Sequence, residues 1–460
     1  MEFGFHKKEF GFMTKKSKAF VTLLTAATMM TASAFASFAA QNGWNLEGGK
    51  WFYYQGGDKV TSCWKEDTQH LKYWLDDNGQ MAVSELIDDG SNIYYVTSSG
   101  ARLTNDWKWI QADGDDEAHW YYFDSNGKAV EKGWQTINGY KYHFTDHKMD
   151  YGWIDENGTM LDEDNDNDSA WENAKYYLGS EETGWRRDNQ WVELDDFDTD
   201  KYDDRDTVWV YMDNSGKKVT SKQMTINKVK YRFDENGAMM NDWYASDSNA
   251  RYYNEDGQMS SGKWFQAVPS DDMNSTDHNS DTQRWFYANS NGNIVKNTIK
   301  KINGKRYVFD ADGIMQTGFV VVDASNHVVE NLGDGIDNDY PTAAEIKAVT
   351  NGTVMFCMNN GAVRTGNVSI TLDDDTYKFK FNSAGKAYDG IDNGYLYRNG
   401  IVLAADADDE KYSIEEYAGK YFLVNTSGKI QKAGTYKDSK ADCTYKVEGN
   451  NTDGYTVTRQ

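Results

Sequence analysis

The side chains with most to offer chemically in this chain are its rings, 16 Trp, 31 Tyr and 20 Phe. Trp and Phe rings can contact a ligand but supply no acid, base or nucleophile of their own, and a Tyr hydroxyl does so only beside a group that activates it. The groups that could do so are poorly arranged. His143 and His147 stand four residues apart, yet in a stretch that alternates like a strand, and no Glu follows His143 as the helical zinc-protease pattern needs. His70, His119, His278 and His327 are scattered. With 73 Asp and Glu in the chain, carboxylate pairs are too common to mark an acid and its base. Neither a Gly-x-Ser-x-Gly elbow nor a phosphate loop occurs. Asp162–Asp168 looks like a calcium loop but has Asn167 where the sharp turn needs Gly and Asn173 where the last ligand should be Glu. It reads as a solvated acidic loop, as does Gly333–Asp339. Cys63, Cys357 and Cys443 are far apart and cannot all pair, which indicates neither a disulfide framework nor a zinc site. No catalytic residue, metal or cofactor is expected.

The rings are positioned by an internal repeat of about 20 residues. Aromatic runs end in a turn glycine in Trp120–Gly127, Lys230–Gly237 and Arg306–Gly313, with further copies centred on Gly79, Gly100, Gly216, Gly257 and Gly292 and weaker ones on Gly361, Gly385 and Gly428. Gly-Trp or a similar pair often follows, as in Gly133-Trp134, Gly152-Trp153, Gly184-Trp185, Asp242-Trp243 and Gly318-Phe319. The aromatic run reads as a strand. Asp-x-Asn-Gly reads as the tight hairpin turn, Gly-x-Met as the start of the return strand, and Gly-Trp as the link to the next hairpin. A lone hairpin is marginal, so units must stack. The predicted fold is all-β, an elongated β-solenoid of stacked hairpins held by nearest-neighbour contacts.

Strand alternation separates two faces. Tyr121/Phe123 recurs as Tyr142/Phe144, Tyr231/Phe233, Tyr307/Phe309 and Phe379/Phe381, and reads as core. The opposite face is aromatic in Trp51/Tyr53, Trp120/Tyr122, Trp209/Tyr211 and Trp285/Tyr287 but not in Lys230/Arg232 and Arg306/Val308. A face that varies in this way is the better candidate for ligand contact.

Composition and termini set the context. Lys15, Lys16 and Lys18, the apolar run from Ala19 to Met30 and the Ala34-Phe35-Ala36 exit describe a secretory leader, so residues 1–40 are set aside. No second apolar span and no wall-sorting motif follow, and a surface role must rest on non-covalent binding. The formal charge of −25 disfavours nucleic acid and anionic lipid and favours cationic ligands. Residues 41–319 read as regular repeats with acidic insertions at 113–117, 162–168, 195–206 and 270–281; these, and a further acidic run at 333–339, are predicted to be solvated loops. Residues 320–460 read as degenerate repeats or a divergent all-β region.

Gly133–Phe144 and Ile302–Asp310 resemble the cell-wall-binding repeat shared by choline-binding proteins, streptococcal glucan-binding proteins and clostridial toxin tails. The resemblance is good over 43–319 and weak beyond. It implies a secreted cell-wall or cell-surface protein whose aromatic boxes, formed where consecutive hairpins meet, hold choline of teichoic acid through cation–π attraction. Carried onto this chain, the boxes are Trp44 with Trp51, Tyr53 and Trp64; Trp120 and Tyr122 with Trp134; Tyr140 with Trp153; Trp209 and Tyr211 with Trp185; and Trp264 with Trp285 and Tyr287. The alternative within the family is an exported binder of α-glucan or host glycan using the same rings as stacking platforms. A spacer with no saturable ligand is the third reading.

Overall fold

The computed structural model describes residues 42–161, 170–194, 197, 201–202, 205, 207–246, 249–333, 340–372, 374–450 and 454–460. The leader and the calcium-like runs at 162–168 and 334–339 lie outside the described residues. Thirty-seven strands and three short helices are present among the described residues, and every sheet is built from antiparallel hairpins. The protein is all-β. It forms two compact units, one of Met1–Thr225 with Tyr231–Met240, the other of Ile226–Lys230 with Asn241–Gln460. The boundary expected at 319/320 falls inside the strand Gly318–Val322.

The hairpins are framed differently from the sequence expectation. Gly-Trp begins a strand rather than a link: Gly133–Ile137 pairs with Tyr140–Thr145, placing Trp134 opposite His143. The turn joining them is Asn138-Gly139, with φ of 51° and 88°. Both values are positive, as a two-residue turn matched to strand twist requires, and Asn and Gly tolerate them. Asn303-Gly304 does the same at 48° and 84°.

The Asp-x-Asn-Gly turn comes after the second strand and has another role. Asp124 Oδ1 accepts from the main-chain N–H of Asn126 at 2.7 Å and of Lys128 at 2.9 Å. Asp76, Asp155, Asp213, Asp310, Asn382 and Asn425 clamp their turns in the same way. Each clamp folds the chain back into a single bridge, such as Phe123 to Ala129 or Phe309 to Met315. The bridge residue then donates its N–H to the hairpin before: Met81 to Trp51, Arg102 to Lys72 and Ala129 to Ile93 in the first unit, Met315 to Trp285 and Val363 to Arg306 in the second. That bond makes a stack out of hairpins that would be marginal alone.

The Tyr/Phe face is core, as alternation predicts, except at Tyr307, which is half-buried. Tyr121, Phe123, Tyr142, Phe144, Tyr231, Phe233, Phe309, Phe379 and Phe381 are all buried. Past Val322 the sheets widen. The strands Gly366–Leu372, Asp375–Phe381, Ile401–Val402, Tyr395–Arg398 and Gly390–Asp392 form a five-stranded sheet in that order. Phe379 and Phe381 pack there with Phe319, Phe356 and Ile401.

Described residues in three of the acidic insertions are held by partners rather than freely solvated. Asn274 caps a helix over Ser275–Asn279, and Asp277, only 5% exposed, takes a bidentate pair of bonds from Arg284 at 2.8 and 2.7 Å. Asp115 pairs with Lys148 at 2.7 Å. Tyr202 is buried and donates to Asp234 at 3.0 Å. Lys148 and Asp234 are distant in sequence from the insertions they meet, while Arg284 lies just beyond its own.

Two tests follow from the clamp. Asp124→Ala should cost on the order of 1 kcal/mol in chemical denaturation, the usual worth of such a bond; Asp124→Asn should stay near wild type, since Asn already serves at 382 and 425. Main-chain donors, Thr159 foremost, hold the Asp155 carboxyl below its ordinary value. Its contribution is therefore full above the unfolded Asp value of about 3.9 and is lost as pH falls through the lower folded one. The Asn157 and Thr159 amide resonances should move only below that ordinary value.

Candidate aromatic binding sites between hairpins

In a first strand the Trp lies opposite a ring of its own second strand and against a ring of the following hairpin. Trp264 faces Tyr287 across the pair, with ring centroids 5.1 Å apart, and meets Tyr307 at 4.7 Å, both edge-on. Phe309 stacks behind at 5.7 Å, and Met315 packs on the same cluster. The arrangement recurs. Trp107 lies 5.0 Å from Tyr122 and 4.8 Å from Tyr142. Trp191 lies 5.0 Å from Tyr211 and 4.9 Å from Tyr231. Trp44 lies 5.3 Å from Tyr53 and 5.2 Å from Tyr73. Trp64 makes the variant with Trp74 at 5.3 Å and Tyr94 at 5.0 Å, and its indole N–H donates to Asp89 at 3.3 Å.

These groupings redraw the expected boxes. Trp264, Trp285 and Tyr287 do come together, with Tyr307 added. Trp44, Trp51 and Tyr53 share one cluster, but Trp64 belongs to the next hairpin. Trp120 and Tyr122 gather around Trp107, while Trp134 lies against His143 and Tyr176. Tyr140 meets Trp185 at 5.2 Å rather than Trp153. Trp153 is 8% exposed and lies 4.4 Å from Tyr177, and Tyr211 is 4% exposed; both are largely withdrawn from solvent. Trp209 sits opposite Glu193, in a different hairpin from Trp185. The physical reason is the frame: a Gly-Trp ring finds its cross-strand partner after it in sequence, not before.

Trp107 and Trp191 escape a search for Gly-Trp because neither follows a glycine. The signal they do carry is a residue two positions earlier in the left-handed region: Asn105 at φ 49° and Asn189 at φ 54°, matching Ser62 at 46° before Trp64 and Gly262 at 62° before Trp264. Asn adopts that conformation more readily than other non-glycine residues, so Asn-x-Trp is the equivalent of Gly-x-Trp.

The electrostatics keep these rings neutral. Burial, then the bond to Asp67, pushes the Tyr73 hydroxyl up to about 12. Burial likewise raises Tyr94, Tyr122, Tyr142 and Tyr211. Their faces are thus uncharged π surfaces throughout the physiological range.

Other clusters lead elsewhere. His143 and Asp150 form a buried pair at 2.6 Å, with Thr145 donating to the same carboxylate oxygen at 2.9 Å. A Cβ at Gly158 would lie 2.5 Å from His143 Nε2, so the next turn closes the ring edge that a substrate would need. Two cavities have polar linings: one of about 360 Å³ beside Asp277, Arg284 and Gln316, one of about 680 Å³ beside Asp124, Glu131 and His147. Among the described residues no cluster of His, Cys, Asp or Glu could hold a metal, and no helix is long and apolar enough to cross a membrane. Cys63, Cys357 and Cys443 are all free thiols.

Residues 219–264, two consecutive hairpins of this type, match the family model for the choline-binding repeat. That stretch is similar to a choline-binding repeat. The chain is also similar to Glucosyltransferase-S of Streptococcus mutans serotype c, at 27% identity over 356 residues, 75% of this chain and 20% of that protein. Glucosyltransferase-I of Streptococcus downei is 30% identical over 100 residues, 21% of this chain and 6% of that one. The chain spans about a fifth or less of the length of those relatives. Among solved structures, CbpJ of Streptococcus pneumoniae is 18% identical with a TM-score of 0.37, covering 75% of this chain and 99% of that one. Choline binding protein F of the same organism is 17% identical with a TM-score of 0.36, covering 76% and 99%.

Burial predicts unequal costs for the tryptophans. Trp153→Ala should destabilise by about 3–5 kcal/mol. Trp285→Ala, at a ring 43% exposed, should stay within about 1 kcal/mol. Chemical denaturation followed by circular dichroism would check both.

Proposed function

We propose that this chain is a non-catalytic, secreted cell-surface protein that binds choline-substituted teichoic acid or a related wall polymer through the ring clusters of its choline-binding repeats. The observation that carries the reading is the recurrence of one arrangement: Trp264, Trp107, Trp191 and Trp44, each with two tyrosines, one from its own hairpin and one from the next. A quaternary ammonium head suits uncharged ring faces, each worth roughly 0.5–2 kcal/mol. Two or three rings then give a gross attraction near the −4.1 kcal/mol of a millimolar site. Repetition along a polymer raises such weak sites to useful avidity, and the charge of −25 adds long-range attraction for a cationic ligand.

The alternative, binding of α-glucan or host glycan in adhesion, is favoured by the similarity to streptococcal glucosyltransferases. The two readings differ in what intrinsic tryptophan fluorescence should do. With choline, a saturable change competed by another quaternary ammonium and reduced in Trp264→Ala is expected. A response to isomalto-oligosaccharide alone would replace the choline reading with the glycan one. Silence to both would leave the chain as a spacer.

A further inference from the structure

The residue two positions beyond each turn glycine makes the bridge back to its own second strand. It is apolar in most repeats: Met81, Ala129, Met160, Met239, Met259, Ile294 and Met315. In the repeat turned by Gly100 it is Arg102, bridging Val96. Where Met81 and Met315 lend an apolar wall to the clusters around Trp44 and Trp264, Arg102 brings a cation. Its guanidinium carbon lies 5.2 Å from the ring centroid of Trp64 and 5.2 Å from that of Tyr94. These are the first-strand Trp and the following-hairpin Tyr of one box, with Trp74 as the cross-strand ring.

The chain holds Arg102 in that place. Its stem lies against the next turn, where a Cβ at Gly127 would come within 2.9 Å of Cδ and Nε. Its Nε is buried and has no hydrogen-bond partner. A buried donor on a charged group normally finds an acceptor; here it has none, and the guanidinium carbon lies beside two rings. Arg186 offers a second case, 5.4 Å from Trp134 and 5.9 Å from Tyr176. There the cation is anchored as well, by a bidentate pair of bonds to Asp188 at 2.6 and 2.8 Å.

We infer that Arg102 is an internal ligand: it occupies the Trp64–Trp74–Tyr94 box with the chain's own cation, so that this box is closed to an external quaternary ammonium. The inference rests on reading the boxes as cation sites. A tethered guanidinium is present at a high effective concentration and loses little freedom on binding, so a weak free ligand does not displace it. One residue at the bridge position then decides whether a box is open, with Met leaving it open and Arg filling it.

Calorimetric titration of the mature protein with choline, wild type beside Arg102→Met, tests the external half. The variant should gain one site per chain; a wild type that binds choline and a folded variant with the same site number would overturn the inference. A second measurement is independent of any ligand. The Arg102 Nε–H resonance should be shifted upfield by the rings in wild type and return towards its ordinary position in Trp64→Ala. An unshifted resonance would overturn the inference whatever choline does. If neither protein binds choline, the proposed function falls, and the Arg102 resonance alone decides whether the box is internally filled.

Discussion

The structure depends on one main-chain bond repeated along the chain, from the residue just past each Asp- or Asn-clamped turn to the hairpin before it. Without that bond each hairpin is a marginal two-stranded ribbon. With it, the second strand of one hairpin, the turn of the next and the rings between them become a single packed layer. The clamp is what aims the bond: Asp124 holds Asn126 and Lys128 so that Ala129 arrives at Ile93. The ring clusters are a by-product of the same geometry, since they fill the space that the bond encloses.

Seen from this bond, the tolerance of the repeat is intelligible. The clamp position accepts Asp or Asn because only the Oδ1 acceptor is used. The entry to the first strand accepts Gly, Asn or Ser because only a left-handed backbone is needed. The bridge position accepts Met, Ala, Ile, Arg or Lys because its main chain does the tying. Lys218 takes the last option furthest: its ammonium donates to the carbonyls of Trp171 and Glu172 while burial pulls its pKa down to about 8.

Much of this was legible in the sequence. The period, the β class and the buried Tyr/Phe face follow from alternation and spacing, and Tyr121 and Phe123 are buried as that pattern says. The grouping of rings was less legible, because the strand order within a repeat decides which Trp meets which Tyr. Taking the clamped turn for the hairpin turn shifted Trp134 towards Trp120 and left Trp107 and Trp191 unnoticed. The acidic insertions were opaque for another reason. Asp115 and Tyr202 are held by Lys148 and Asp234, and no local pattern announces a partner supplied by a different turn.

The nearest-neighbour bonding also bears on how the chain folds. Each tie joins one hairpin to the one before it, as Met81 to Trp51 and Val363 to Arg306 do, and the entropic cost of closing such loops grows only slowly with their length. Assembly can therefore proceed hairpin upon hairpin, each finished layer serving as the template for the next. A break at one turn would stall growth locally and leave the layers already formed intact.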